Sequence, residues 1–123
     1  MRILVDTHIF LWMLSCPEKI SQVRRYELES PDNEIFLSAV SIAELMIKHS
    51  VGKIQIDFDP IETARKTGIE LLDFSGTDAV MLGKLPFYHK DPFDRMLIAQ
   101  ALIRKFYLMT EDSKFLPYGC KMI

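Results

Sequence analysis

The chain has 123 residues, of which 49% are apolar and 26% charged, and its formal net charge is -2. That length and mixture suit one compact α/β-sized unit over residues 1–123 and exclude a disordered or fibrous polypeptide. The slightly acidic total removes any general attraction to a polyanion, so a nucleic-acid partner has to be gripped locally, for example through bound cations.

The longest apolar run near the start, Ile9 to Leu14, is far shorter than the ~20 residues a membrane span needs. Neither a transmembrane segment nor a secretory leader is therefore expected. Cys16 and Cys120 stand at opposite ends without CxxC spacing. They read as thiols in a reducing, cytosolic compartment, with pairing between them as the lesser alternative.

In chain order, Arg2-Ile3-Leu4-Val5 is a short apolar run that ends at Asp6 and predicts a buried strand. Thr7 can cap a helix through the apolar stretch Ile9 to Leu14, which Pro17 stops. Ser21 to Glu29 predicts a second helix, and Ser30-Pro31-Asp32-Asn33 a turn. Glu34 to Leu37 is the second strand, followed by an amphipathic helix from Ser38 to His49 that Gly52 ends. Asp59 caps the next helix, with Pro60 at its first position and Gly68 as its stop. Glu70-Leu71-Leu72 gives a third strand and Ser75 to Leu82 a helix, before a loop from Lys84 to Lys90. The strongest helical pattern runs from Pro92 to about Lys105, with Leu97, Ile98, Ala101 and Leu102 at helical spacing. Phe106 to Met109 predicts a fourth strand, and Lys121-Met122-Ile123 a final edge strand.

Strands separated by helices imply a parallel sheet covered on both faces, and such folds bind ligands outside the carboxyl ends of their strands. Asp6 and Asp112 both stand where a strand has just ended, which makes them site candidates, with an N-cap as the alternative for Asp6 and a turn residue as the alternative for Asp112. Ser41-Ile42-Ala43-Glu44 matches an S-x-x-E capping box, but the preceding strand would deliver Glu44 to the same edge as Asp6. In His89-Lys90-Asp91-Pro92-Phe93-Asp94-Arg95, Asp91 reads as an N-cap. Asp94, one turn further in, either complements the helix dipole, pairs with Arg95, or joins the site. In Thr110-Glu111-Asp112, Asp112 is the better candidate, while Glu111 is a competing neighbour and Thr110 a possible hydrogen-bond donor to a carboxylate.

His8, His49 and His89 show no zinc spacing and read as structural or exposed, so the donor set is hard oxygen and suits Mg2+ or Mn2+. Lys84, Lys90, Arg95, Lys114 and His89 can form a positive rim for phosphate contacts, although scattered lysines also serve solvation. Trp12, flanked by apolar residues, reads as core or interface.

Taken together, Ile3-Leu4-Val5-Asp6-Thr7, Ser38 with Ser41-Ile42-Ala43-Glu44, Asp91-Pro92-Phe93-Asp94-Arg95-Met96-Leu97-Ile98-Ala99-Gln100-Ala101 and Leu108-Met109-Thr110-Glu111-Asp112 resemble the ordered motifs of PIN domains. The D-T-H near the start and the H-x-D-P-F-D-R are most similar to those of VapC-like toxins, the ribonucleases of toxin-antitoxin pairs. The resemblance implies a three-layer α/β/α domain with a parallel sheet. It also implies a site in which Asp6, Glu44 and Asp94 are the principal acids and Asp112 a fourth, variable one. It further implies a homodimer, an RNA substrate and inhibition by a small cognate antitoxin protein.

The chemistry expected of such a site is in-line attack on phosphorus by a water that one or two divalent ions activate. Two other classes fit less well. A phosphatase working through an aspartyl intermediate needs an acid two positions after Asp6, where His8 stands, and a receiver-like interaction module needs an acidic neighbour that Asp6 lacks. No RNP-type aromatic motif indicates which RNA is recognised.

Overall fold

A computed structural model describes the whole chain, Met1–Ile123. Four strands, β1 (Arg2–Val5), β2 (Glu34–Ser38), β3 (Glu70–Leu72) and β4 (Tyr107–Met109), form one sheet in the order β3-β2-β1-β4. Every neighbouring pair is parallel. The helices are α1 (Thr7–Ser15), α2 (Gln22–Glu29), α3 (Ala39–Ser50), α4 (Pro60–Lys66), α5 (Gly76–Met81) and α6 (Pro92–Arg104). None of them is long and apolar enough to cross a membrane.

The alternation of side chains along each strand divides the core into two layers. Ile3, Val5, Ile35, Leu37 and Met109 pack with Ile9, Phe10, Leu45 and Ala64 on one face of the sheet. Leu4, Phe36, Leu72 and Leu108 pack with Leu97, Ile98, Ala101 and Phe115 on the other. Both faces are apolar, which is why the strands read as continuous hydrophobic runs rather than as an alternation of apolar and polar residues. The expected α/β/α layering with a parallel sheet is therefore the observed one.

Three local features differ from the sequence expectation. Asp6, not Thr7, caps α1, its Oδ1 accepting the Ile9 N–H at 2.7 Å. Ser38 caps α3 through the Val40 N–H at 3.0 Å, so Ser41 and Glu44 lie inside the helix and form no capping box. The edge strand expected at Lys121–Ile123 contracts to one parallel bridge, Leu108↔Met122. The chain before it is used by an unanticipated 3₁₀ segment, Ser113–Tyr118, and a turn at Gly119 with φ 71°. That segment buries Phe115 and Tyr118, three residues apart, on the α6 side of the sheet.

Helix α5 is locked onto α6 by a buried carboxylate. Asp78 is inaccessible to solvent and accepts the Ser75 N–H at 2.9 Å and the Arg104 Nε and Nη2 donors at 3.2 and 3.1 Å. Burial disfavours its ionisation, but the donors from Arg104 and Ser75 outweigh that and hold its pKa below the usual carboxylate value. The stabilisation is thus complete above the unfolded-state value of about 3.9 and lost as pH falls through the lower folded value.

Two stability outcomes follow from these contacts. Asp78→Ala leaves Arg104 without its carboxylate and is expected to cost about 3 kcal/mol at pH 7 by denaturant unfolding. Lys105, which ends α6 at φ 58°, is the one residue other than glycine in the left-handed region. Lys105→Gly relieves that conformation and is expected to stabilise by about 1 kcal/mol, a rise of several degrees in Tm.

Candidate active site

The parallel register brings three strand ends to one edge. Val5 lies opposite both Leu37 and Met109, so the residues that follow, Asp6, Ser38 and Thr110, emerge side by side. The Asp6 N–H donates to the Met109 carbonyl at 3.0 Å, which extends the β1–β4 ladder by one step. With β1 followed in the chain by its neighbour on one side and flanked by β4 on the other, this edge is where crevices form in open parallel sheets.

A shallow cleft opens there, lined by Tyr88, His89, Lys90, Asp91, Asp94, Asp112 and Lys114. Within it, ligand atoms of His89, Asp94 and Asp112 all lie within 4.8 Å of one another. His89 Nε2 is 2.7 Å from Asp94 Oδ2 and 3.8 Å from Asp112 Oδ2. The Asp91 N–H points at His89 Nδ1 across 3.4 Å, which makes Nδ1 the acceptor and leaves the ring hydrogen on Nε2, aimed at Asp94. Asp91 itself is the N-cap of α6, accepting the Asp94 N–H at 2.9 Å. Asp112 caps the following 3₁₀ segment through the Lys114 N–H at 2.9 Å.

Asp6 and Glu44 stand deeper, 4% exposed each. Burial raises the Asp6 pKa above its ordinary value, and the charge of Asp112 adds to the rise, while the Thr110 hydroxyl, the Ile9 N–H and the charge of His8 oppose it. Glu44 is held on both oxygens. Thr7 Oγ1 donates to Oε1 at 2.7 Å, and Lys48 Nζ donates to Oε2 at 2.6 Å. Ser41 lies beside this pair, 2.9 Å from Thr7 Oγ1.

The two levels are joined electrostatically. Partial burial, followed by the charge of Asp91, pushes the pKa of Asp94 up to about 6; Glu44 adds to the rise, and His89 opposes it. Several carboxylates therefore share a mouth with too little positive charge to balance them. A hard divalent cation is the group that such a set of oxygens fits. Asp6, Glu44, Asp94 and Asp112 thus all reach the same edge, although Asp6 and Glu44 lie outside the tight trio.

Other candidates are placed elsewhere. Glu111 turns away, pairing with Arg24 at 3.0 Å and accepting the Ser21 N–H at 3.3 Å, so Asp112 is the acid that faces the cleft. Arg95 does not pair with Asp94; it stacks on Phe87 at 4.5 Å and donates to the Pro86 carbonyl and the Tyr118 hydroxyl at 3.0 and 3.2 Å. Its work is to hold the loop that carries His89. Lys90 and Lys114 line the cleft, whereas Lys84 does not. Trp12 is partly buried against the α1 side of the core, and both cysteines are free.

The placement of His89 between two acids, and of Thr7 and Lys48 on Glu44, was not anticipated. For Lys48 a signal existed, because Glu44 and Lys48 are four apart on one helix. For Thr7, and for the approach of His89 to Asp112, the contacts bridge distant segments; His89 and Asp94 are only five residues apart, but the loop between them has no regular spacing that would place one beside the other.

The PIN domain family model matches residues 3–119. No curated protein matches the chain. Among solved structures, the fold is similar to that in VapBC2 from Rickettsia felis bound to a DNA fragment from their promoter, at TM-score 0.71 and 20% identity over 99% of this chain and 96% of that one. It is similar also to DNA-bound VapBC from Salmonella typhimurium, at TM-score 0.72 and 15% identity over 100% and 97% of the two chains. The PIN domain endonuclease Utp24 matches at TM-score 0.51 and 16% identity over 94% of this chain and 74% of that one.

The raised pKa of Asp94 has a testable consequence for stability. A carboxyl whose folded value lies above its unfolded one contributes most below about pH 4, and that contribution is lost as pH rises through about 6. Asp94→Asn keeps the acceptor for His89 and removes the charge. It is expected to raise stability in chelator at pH 7 by about 1–2 kcal/mol, after allowance for solvent screening. Thermal melts in chelator measure it.

Proposed function

The chain belongs to the PIN-domain family, and on that footing we propose that it is a metal-dependent endoribonuclease, the toxin of a toxin-antitoxin pair. What supports this reading most is the cluster of Asp94 and Asp112 about His89 at the carboxyl edge of one parallel sheet, with the pKa of Asp6 raised by burial and by the charge of Asp112, and that of Asp94 by burial and by the charges of Asp91 and Glu44. The solved VapBC structures and the Utp24 endonuclease, whose folds this chain shares, support it.

In this reading Asp6, Glu44, Asp94 and Asp112 are the acids that hold Mg2+ or Mn2+. When bound, such an ion lowers the pKa of a water and neutralises charge on the phosphoryl oxygens. The chain's own groups prepare the acids for that role. The His89 Nε2–H holds Asp94 Oδ2, the Ile9 N–H and Thr110 hold Asp6, and Thr7 holds Glu44, so the carboxylates are oriented before any ligand arrives. Lys90 and Lys114, on the cleft lining, supply local positive charge to the phosphate backbone that the acidic total denies it elsewhere. Tyr88, 60% exposed on the same lining, offers a ring for an unstacked base, as single-stranded RNA recognition commonly uses. A cytosolic location, a homodimer and a small antitoxin protein as inhibitor complete the proposal.

The test is cleavage of RNA by the purified protein. Chelator is expected to abolish it and Mg2+ or Mn2+ to restore it. Asp6→Asn and Asp94→Asn each remove one charge and little volume, so each is expected to lower the rate at least about a hundredfold with unchanged circular dichroism. Glu111→Gln, on a residue that faces Arg24 instead of the cleft, is expected to leave the rate as it was. Undiminished cleavage in both aspartate variants would remove the assignment.

A further inference from the structure

The Glu44–Lys48 contact carries an inference that rests on the proposed metal-dependent reading and makes it more specific. We propose that Lys48 is a resident cation of the acidic mouth, holding Glu44 so that the mouth admits one divalent ion rather than two.

The reasons are geometric and electrostatic. Glu44 is a nearly inaccessible carboxylate, its side chain 5% exposed, and both its oxygens already have protein partners. One partner is a neutral hydroxyl, Thr7, and the other a full positive charge, Lys48 Nζ at 2.6 Å. This is not an ordinary helix-surface pair. The lysine side chain is 35% exposed, its partner faces inward, and its ammonium also feels the charges of Asp91 and Asp94 on α6. Lys48 therefore projects from α3 toward the same acids that a metal would neutralise. Of the charged groups at the mouth, it is the cation directly bonded to a buried member of the set.

A second divalent ion drawing on Glu44 would have to displace the ammonium from Glu44 Oε2. Like-charge repulsion between Lys48 and a second ion then adds to the loss of that ligand. Asp6, Asp94, Asp112 and the Glu44 Oε1, whose partner is the Thr7 hydroxyl, remain available to a single ion. Lys48 is thus a positioning residue: it fixes Glu44 and sets the charge of the mouth, and its effect should appear in ion stoichiometry and affinity before it appears in rate.

The experiment counts Mn2+ bound to the full chain by electron paramagnetic resonance and titration calorimetry, alongside RNA cleavage by the same preparations. The parent is expected to bind one Mn2+. Lys48→Met, which keeps the length of the side chain and deletes its charge, is expected to bind a second ion or to bind the first on the order of tenfold more tightly. Lys48→Arg, which restores a cation, is expected to return both number and affinity to the parental values. Circular dichroism and a melt in chelator, with recovery on adding Mn2+, show that Lys48→Met folds and that an ion replaces the missing charge. Two ions in the parent, or parental number and affinity in Lys48→Met, would overturn the proposal while leaving the nuclease reading intact. No ion and no cleavage in the parent would instead sink the nuclease reading, and this inference with it.

Discussion

The structure depends on the flush parallel register of β1 with β2 and β4. Because Val5 is opposite Leu37 on one side and Met109 on the other, the next residue of each strand leaves the sheet at a common edge. A shift of one residue would exchange the two faces of a strand and send its apolar side chains to the wrong layer. Here both layers are filled, with Leu4, Phe36 and Leu108 on one side and Ile3, Val5, Ile35, Leu37 and Met109 on the other. Core packing therefore fixes the position of Asp6 beside Thr110 and Asp112 as firmly as it fixes the sheet.

Gathering acids at one edge conflicts with burying them, and the chain manages the conflict without removing it. Asp6, Asp91 and Asp112 also cap helical segments, so that backbone N–H groups partly satisfy each carboxylate. Side-chain donors do the same for the rest, Thr7 and Lys48 for Glu44 and His89 for Asp94. What these donors leave uncompensated shows in Asp94, pushed up to about 6, and in the raised pKa of Asp6. An arrangement of this kind forgoes stability in the absence of a cation and has the most to gain when one binds. The distant Asp78, bonded to Arg104 and Ser75, is the contrasting case of a buried acid that is fully paired.

Capping a helix and standing at the carboxyl edge of the sheet are not alternatives in this fold, although the sequence presents them as such. Asp6 was readable either as a cap or as a site residue, and it is a cap whose carboxylate also feels the charge of Asp112. The capping-box reading of Ser41 and Glu44 failed because α3 starts at Ala39, which moves both residues into the helix and turns them toward Thr7. Thr7, relieved of capping by Asp6, is free to become the donor that orients Glu44.

The sequence alone determined the elements and their order, since apolar runs of strand length, helical spacing, caps and prolines act within a few residues of one another. Local pattern also marked Asp6, directly after a strand, and Asp94, in the first turn of a helix, as candidates, whereas Glu44, which spacing alone reads as part of a capping box, entered the set through the strand before it and the resemblance to PIN domains. The tertiary structure decided which of their oxygens are free and which are held. The pairing of His89 with Asp94 and Asp112 was settled by the loop that Arg95 and Tyr118 support, and the diversion of Glu111 to Arg24 by the packing of α2. The contacts of His89 with Asp112 and of Glu111 with Arg24 join segments tens of residues apart, and their energies depend on burial and on charges that meet only after the chain has folded.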